Sequence, residues 1–335
     1  MSKRVMLLVV VVALLAAVAY INPASPGVFT AETNRVTLPT LLDGCRYAVA
    51  AIQRGQGKVT VHQRFKTDDG GDLESEASYQ VVFSGDKFAF SAEDKIIKNL
   101  PGAPVPSDVR ITEPGTVSTR RVAYDGQRVV TFMPQENEAI IGDRSTDRGR
   151  NSDLDYRLFA SFRGQGLVEP DNYPRAVMES RDIFTRAALQ IVGRETVNGA
   201  ECIVVEAVYN GVFPPNGDKA TYTYWFWVDP TKGFTVPRIR HWIEGGIYKE
   251  KTLIAETTGQ MRQYPGGVWG PASVAYRQYK LNRVSGEYYN DIQYEIAFAP
   301  DFQLNLPVEE AEFILALPSG AQVTDELLSE TYTVP

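Results

Sequence analysis

Hydrophobic and polar positions change their period along this chain. Leu41, Leu42, Cys45, Val49 and Ile52 recur at helical spacing, with Thr40 placed to cap them, and predict one amphipathic helix over Thr40 to Arg54. From Lys58 to Phe65 the period becomes two. Ser78 to Ser91 reads as a hairpin around Ser84-Gly85-Asp86, with Tyr79, Val81, Phe83, Phe88 and Phe90 able to share a face. Arg121 to Pro134 repeats the form around Asp125-Gly126, a dipeptide suited to a tight turn. Helical spacing returns over Asp153 to Phe162 and over Pro174 to Ile191, predicting a helical insert at about residues 152–191. Strands then resume: Ile191 to Val197, a turn at Asn198-Gly199, Cys202 to Tyr209, Tyr222 to Val228, Phe234 to Trp242, Ile247 to Ala255, Ser273 to Leu281 and Tyr288 to Phe298. The expected fold is mainly β with some α. About ten or eleven strands in a single sheet must curl, close or split, and continuous antiparallel hairpins favour curling, with an N-terminal helix and the helical insert beside the sheet.

One strand breaks the usual alternation. In Tyr222 to Val228, the side chains of Tyr222, Tyr224 and Phe226 share one face while Trp225 and Trp227 share the other. Both faces are therefore expected to meet apolar material: either helices cover one face and a loop or partner the other, or one face lines a concave apolar cavity for a hydrophobic ligand.

The first residues set the compartment. Lys3 and Arg4 precede an apolar run from Val5, which ends in the small residues Ala17-Val18-Ala19. Residues 1–19 read as a signal peptide, or as an uncleaved anchor at the short end of membrane-spanning length. Residues 20–38 read as a flexible arm, and residues 39–335 as a single domain with an extra C-terminal segment. The protein is expected in the periplasm or cell envelope. An oxidising compartment lets Cys45 and Cys202 pair, although each also suits a small buried hydrophobic position.

Composition narrows the function. With 335 residues, 44% of them apolar, the chain can bury a large core. Its net charge of −7 disfavours nucleic-acid backbones. Two His and two Cys leave little for a nitrogen and sulfur metal site, and no cofactor motif is present. There is no Gly-x-Ser-x-Gly elbow, phosphate loop or His-Glu-x-x-His. His62 and His241 read as ordinary sheet residues, and the carboxylate pairs Glu74/Glu76, Glu309/Glu310 and Asp153/Asp155 as solvated charge. Arg144 to Arg157 reads as a solvated loop, and Asp68-Asp69-Gly70-Gly71-Asp72 as a hairpin tip with a weak calcium alternative.

The element order, together with Tyr124-Asp-Gly126, Val197-Asn-Gly-Ala-Glu-Cys-Ile-Val-Val-Glu206 and Phe226-Trp-Val-Asp-Pro-Thr-Lys-Gly-Phe-Thr-Val-Pro-Arg238, resembles the LolA-like superfamily of bacterial lipoprotein-sorting proteins over about residues 40–300. The resemblance implies a half-open β-barrel whose concave apolar face, lidded by helices, shelters acyl chains. Its relatives include lipoprotein carriers, lipid-binding mycobacterial lipoproteins and a periplasmic stress sensor. This chain departs from the small carriers in the loop Lys98 to Thr119 and the tail from Phe313 to Glu326.

The leading expectation is an exported, non-enzymatic binder or carrier of a lipid or acylated lipoprotein. Tyr79, Val81, Phe83, Phe88, Phe90, Tyr222, Tyr224 and Phe226 are the cavity-lining candidates. Membrane contact is expected to be transient unless the N-terminal segment is retained. Two alternatives stay open: an envelope-protein interaction or sensor domain using the Trp-rich strand, and, more remotely, a hydrolase using a carboxylate pair.

Overall fold

The computed structural model describes residues 36–66, 70–99, 114–143, 187–213, 217–282 and 285–335. The N-terminal leader and arm, almost all of the expected helical insert, the Arg144 to Arg157 segment and the Asp153/Asp155 pair lie outside the described residues. Leu38–Pro335 form one compact unit.

Helix α1 (Leu38–Ala50) buries Leu41 and Cys45. It ends four residues sooner than its apolar spacing predicts, because Asn305 holds the chain beyond it. The Asn305 side chain accepts from the backbone N–H groups of Gln53 and Arg54 and donates to the Ala51 carbonyl. Arg54 can then open a strand instead of closing a helix.

The strands are β1 (Arg54–Lys66), β2 (Asp72–Ser84), β3 (Lys87–Asn99), β4 (Val117–Tyr124), β5 (Val129–Met133), β6 (Glu138–Gly142), β7 (Ala188–Val197), β8 (Ala200–Phe213), β9 (Asp218–Asp229), β10 (Thr235–Gly245), β11 (Tyr248–Gln263), β12 (Trp269–Leu281), β13 (Tyr288–Phe298), β14 (Gln303–Leu304), β15 (Gln322–Asp325) and β16 (Glu330–Thr333). They form one sheet in the order β16-β15-β6-β5-β4-β3-β2-β1-β13-β12-β11-β10-β9-β8-β7, with β14 also paired to β1. The edge strands β16 and β7 do not pair with each other, so the sheet curls without closing.

The described residues form sixteen strands, more than the ten or eleven expected. Among those not expected, β6, β14, β15 and β16 have two to five residues each, too few to display a period. Their anchoring is tertiary. β15 runs parallel to β6, and Ala321 and Val323, both fully buried, pack against Val130, Phe132, Ala139 and Ile141. The C-terminal tail is therefore part of the sheet.

Turn chemistry shapes the hairpins. Asn198 and Gly199 both take positive φ, as a two-residue hairpin turn requires. The Asp125 loop is longer than the tight turn expected, since β4 and β5 leave four residues between them. The Asp125 carboxylate closes it by accepting from the N–H groups of Gln127 and Arg128. Beyond β9, Asp229 accepts from the N–H groups of Thr231 and Lys232, and Gly233 (φ 65°) lets the chain reverse into β10. At β7 the sequence period misleads. Ala188 and Ile191, expected at the end of a helix, pair with Val208 and Val205 of β8, which supplies ladder bonds that a helical segment would forgo.

One end of the sheet is packed tightly. A Cβ added at Gly55 would lie 2.3 Å from the Phe83 ring, and one at Gly57 would lie 2.8 Å from the Phe302 backbone. Gly55→Ala is expected to destabilise the protein by about 1–3 kcal/mol, through forced displacement of Phe83. Urea unfolding measures this, and an unchanged midpoint would contradict the packing described.

Candidate ligand-binding face

Residues directly opposite in a ladder share a face, so the register decides which side chains can meet. Tyr224, His241, Ala255, Gln278, Ile292, Phe65 and Leu73 form one continuous row across β9, β10, β11, β12, β13, β1 and β2. The neighbouring row on the same face runs Phe226, Ile239, Thr257, Tyr276, Tyr294, Gln63 and Ser75. Along β2 this face continues through Tyr79, Val81 and Phe83, and Val81 and Phe83 stand opposite Phe90 and Phe88 of β3. All eight lining candidates therefore occupy one face of one sheet, although β3 and β9 are seven strands apart in its order. This is the buried, inner face.

Its two ends differ. Tyr79, Val81, Phe83, Phe90, Tyr224 and Phe226 are buried, whereas Phe88 and Tyr222 are only partly so. Phe83 lies over Gly55 beside Leu304, and the Phe302 ring stands edge-on to Phe298 and Tyr264, so the Phe83 end is filled by the protein's own side chains. Around Tyr222 the packing is looser. Tyr222 stacks at a tilt on Tyr209, and it adjoins Ile254 and Leu281, which are only partly buried. Tyr288, exposed and stacked on Tyr279, donates a hydrogen bond to the Leu253 carbonyl. Partly accessible side chains of the inner face gather here, and Phe88, beside Phe83, is another.

Sequence reasoning missed the polar groups of this face. His241 stacks on Tyr224 with ring centres 3.9 Å apart, and burial pushes its pKa down to about 3. The signal was present in the phase of Ile239, His241 and Ile243, which places this histidine inward. Tyr276 donates to Gln278, and Gln278 donates to Asp291, the extra residue in a bulge of β13. Burial raises the pKa of Asp291.

On the outer face of β8 to β11, Trp227 packs with Val197, Cys202 and Val204, and polar side chains complete the cover of the indoles. The Trp225 and Trp227 indoles donate to Glu206 and Glu195. Arg238 and Arg240 lie over Trp227 at 5.0 and 5.8 Å, and both donate to Glu256. Lys251 lies 5.4 Å from the Trp242 ring centre. Planar guanidiniums and alkyl stems cover the rest of the rings while the arginine charges stay paired, so the strand meets apolar material on both sides, as its sequence predicts. Trp227 is fully buried, so it cannot belong to an interface.

Farther along the outer face, Thr60, His62, Glu76, Thr258, Gln260, Ser273 and Glu295, together with apolar residues such as Ala275 and Ala297, line a cleft of about 570 Å³. His62 pairs with Glu74 at 2.9 Å, as a solvent-side histidine would. Glu310 meets Lys87, and the Asp72 carboxylate is held by both Arg64 and Lys98, while Asp68 and Asp69 lie outside the described residues. The hydrogen bond from Arg64 is the main reason the Asp72 pKa lies well below the usual carboxylate range. Among the described residues, no cluster of His, Cys, Asp and Glu could hold a metal ion, and no helix is long and apolar enough to cross a membrane.

Cys45 and Cys202 are both buried and unpaired, which corrects the disulfide option. The Cys45 thiol points at the Phe234 carbonyl, while Cys202 packs with Val197, Val204 and Trp227. Burial pushes their pKa values up to about 12 and about 11.

These features define a curled, open antiparallel sheet with one apolar inner face. No family model and no curated protein matches the chain. Among solved structures it is similar to a DUF1329 family protein from Desulfovibrio piger, at 14% identity and TM-score 0.37, over 82% of this chain and 96% of that one. It is similar to a LolA superfamily protein from Nitrosomonas europaea, at 15% identity and TM-score 0.33, over 84% and 99%. It is also similar to the Mycobacterium tuberculosis lipoprotein LppX, at 12% identity and TM-score 0.27, over 82% and 99%. The Nitrosomonas europaea neighbour bears the name of the superfamily that the sequence motifs resemble. At such TM-scores these neighbours say nothing about this chain's ligand.

Two measurements check this site. A thiol reagent should leave both cysteines unmodified in the folded protein and modify both after unfolding; an intact mass lighter by two hydrogens would reveal a disulfide instead. For His241, the folded pKa lies below the unfolded value of about 6.5, so the unfolded state takes up the proton first. Its contribution is complete above pH 6.5 and is lost as pH falls towards 3. Relative to pH 7, His241→Phe should gain roughly 2 kcal/mol on the parent protein at pH 4.5. Urea midpoints that stay parallel between the two pH values would contradict this.

Proposed function

We propose that this protein is an exported, non-enzymatic binder of an acyl chain or similar amphiphile, held on the inner face near Tyr222. The observation that carries the reading is the register, which gathers aromatic and aliphatic side chains from β2, β3 and β9 onto one face of one sheet. An acyl chain needs little more. Each CH₂ withdrawn from water contributes about 0.8 kcal/mol, and the face demands no reactive group. The accessible rim formed by Tyr222, Ile254, Leu281 and Tyr288 supplies an entrance. Carriage of a lipid or acylated lipoprotein between partners is the finer form of this reading.

A second reading, an envelope-protein interaction domain, has one observation in its favour. Strand β7 is an edge, nearly all of its residues are exposed, and Ile191 and Val192 show 38% and 42% of their surface. Such an edge suits strand addition by an extended peptide.

Purification from a bacterial periplasm without detergent, followed by native mass spectrometry, separates the two. The amphiphile reading expects a bound lipid that is lost on denaturation. A bare mass that stays bare after incubation with lipid would contradict it and favour the interaction reading.

A further inference from the structure

Two polar atoms on the inner face are buried without a partner. The Nε2 of His241 and the Oγ1 of Thr257 find no hydrogen bond, and the residues are 9% and 2% exposed. They are neighbours. Ile239 stands opposite Thr257 and His241 opposite Ala255, so His241 and Thr257 are diagonal across adjacent strands, with side chains on the same face. Leaving two such groups unsatisfied is costly, and a fold gains nothing from it unless something else completes them.

Resting on the amphiphile reading above, we propose that His241 and Thr257 form a polar station that hydrogen-bonds one uncharged group of the ligand, a carbonyl or hydroxyl of an acyl ester, next to the apolar stretch that takes its chain. The surroundings select against charge. The side chains beside the pair on this face, from β9 to β12, are Tyr224, Phe226, Ile239, Ala255, Tyr276 and Gln278, none of them cationic. Arg238 and Arg240 belong to the opposite face and are bound to Glu256. The depressed basicity of His241 agrees, since a neutral imidazole and a hydroxyl offer hydrogen bonds but no countercharge. A carboxylate placed here would stay uncompensated in an apolar setting, whereas an ester would exchange its bonds to water for two from the protein. Asp291 Oδ1, also without a partner, lies on β13 beyond Gln278 and is too distant to share the same group.

The test is displacement of a polarity-sensitive fluorophore from the full-length mature protein by three C16 compounds: monopalmitoylglycerol, palmitate and hexadecane. Wild type should prefer monopalmitoylglycerol to palmitate by about tenfold or more. Thr257→Val, which keeps the side-chain shape, and His241→Phe, which keeps the ring, should each weaken monopalmitoylglycerol by about three- to tenfold and leave hexadecane unchanged. Thr257→Ser should restore most of the affinity. Because removing an unsatisfied hydroxyl favours folding, Thr257→Val should also raise the melting temperature of the lipid-free protein. Two outcomes overturn the station alone: wild type binding all three compounds without preference, or variants weakening hexadecane and the ester equally. Failure of wild type to bind any of the three would overturn the amphiphile reading with it.

Discussion

The structure depends on keeping one parity of side chains buried across ladder after ladder. A single-residue slip in any strand would turn its aromatic set outward, because successive side chains point to opposite faces. The register holds this phase from β9 through to β2, and the bulges fall where they re-aim the chain. Between His241 and Trp242 and between Gln278 and Tyr279 an extra residue enters the partner strand, and beyond each shift the inner face continues with different residues. The inner face is thus a product of register, and its chemistry follows from which residues the register leaves inside.

That constraint also orders the energetics. The Phe83 end is closed by Gly55, Gly57, Phe302 and Leu304, where small residues let large rings approach the backbone. Toward Tyr222 the same face loosens and becomes partly accessible. The outer face adds ion pairs, indole hydrogen bonds and guanidinium stacking to the small apolar cluster around Trp227. A fold arranged in this way has a filled end, an accessible end and a polar exterior, which is a suitable division for holding an amphiphile.

Much of this was legible in the sequence, for local reasons. Gly85, Asn198-Gly199 and the Asp229 to Gly233 turn announce their hairpins, and period-two aromatics assign Tyr79, Val81, Phe83, Phe88 and Phe90 to one face. What could not be read was non-local. The pairing of β1 with β13, and of β6 with β15 in parallel, joins segments far apart in the chain that no spacing rule connects. The early end of α1 depends on Asn305, more than 250 residues away. The arginines that help to cover the Trp-rich strand lie on the next strand and read as ordinary polar positions. For His241, the phase of Ile239 and Ile243 points inward, but nothing local shows that Tyr224 and Thr257 of neighbouring strands lie beside it.

The central claim is that an amphiphile occupies the inner face near Tyr222. It is tested most directly by photocrosslinking a diazirine-bearing acyl glycerol to the folded protein and mapping the adducts by peptide mass spectrometry. The account predicts labels on inner-face residues of β9 to β13, among them Tyr222, Ile254, Leu281 and Tyr288, suppressed by excess unlabelled ligand. Labels confined to the outer face or to the β7 edge, or labels that excess ligand does not suppress, would contradict it.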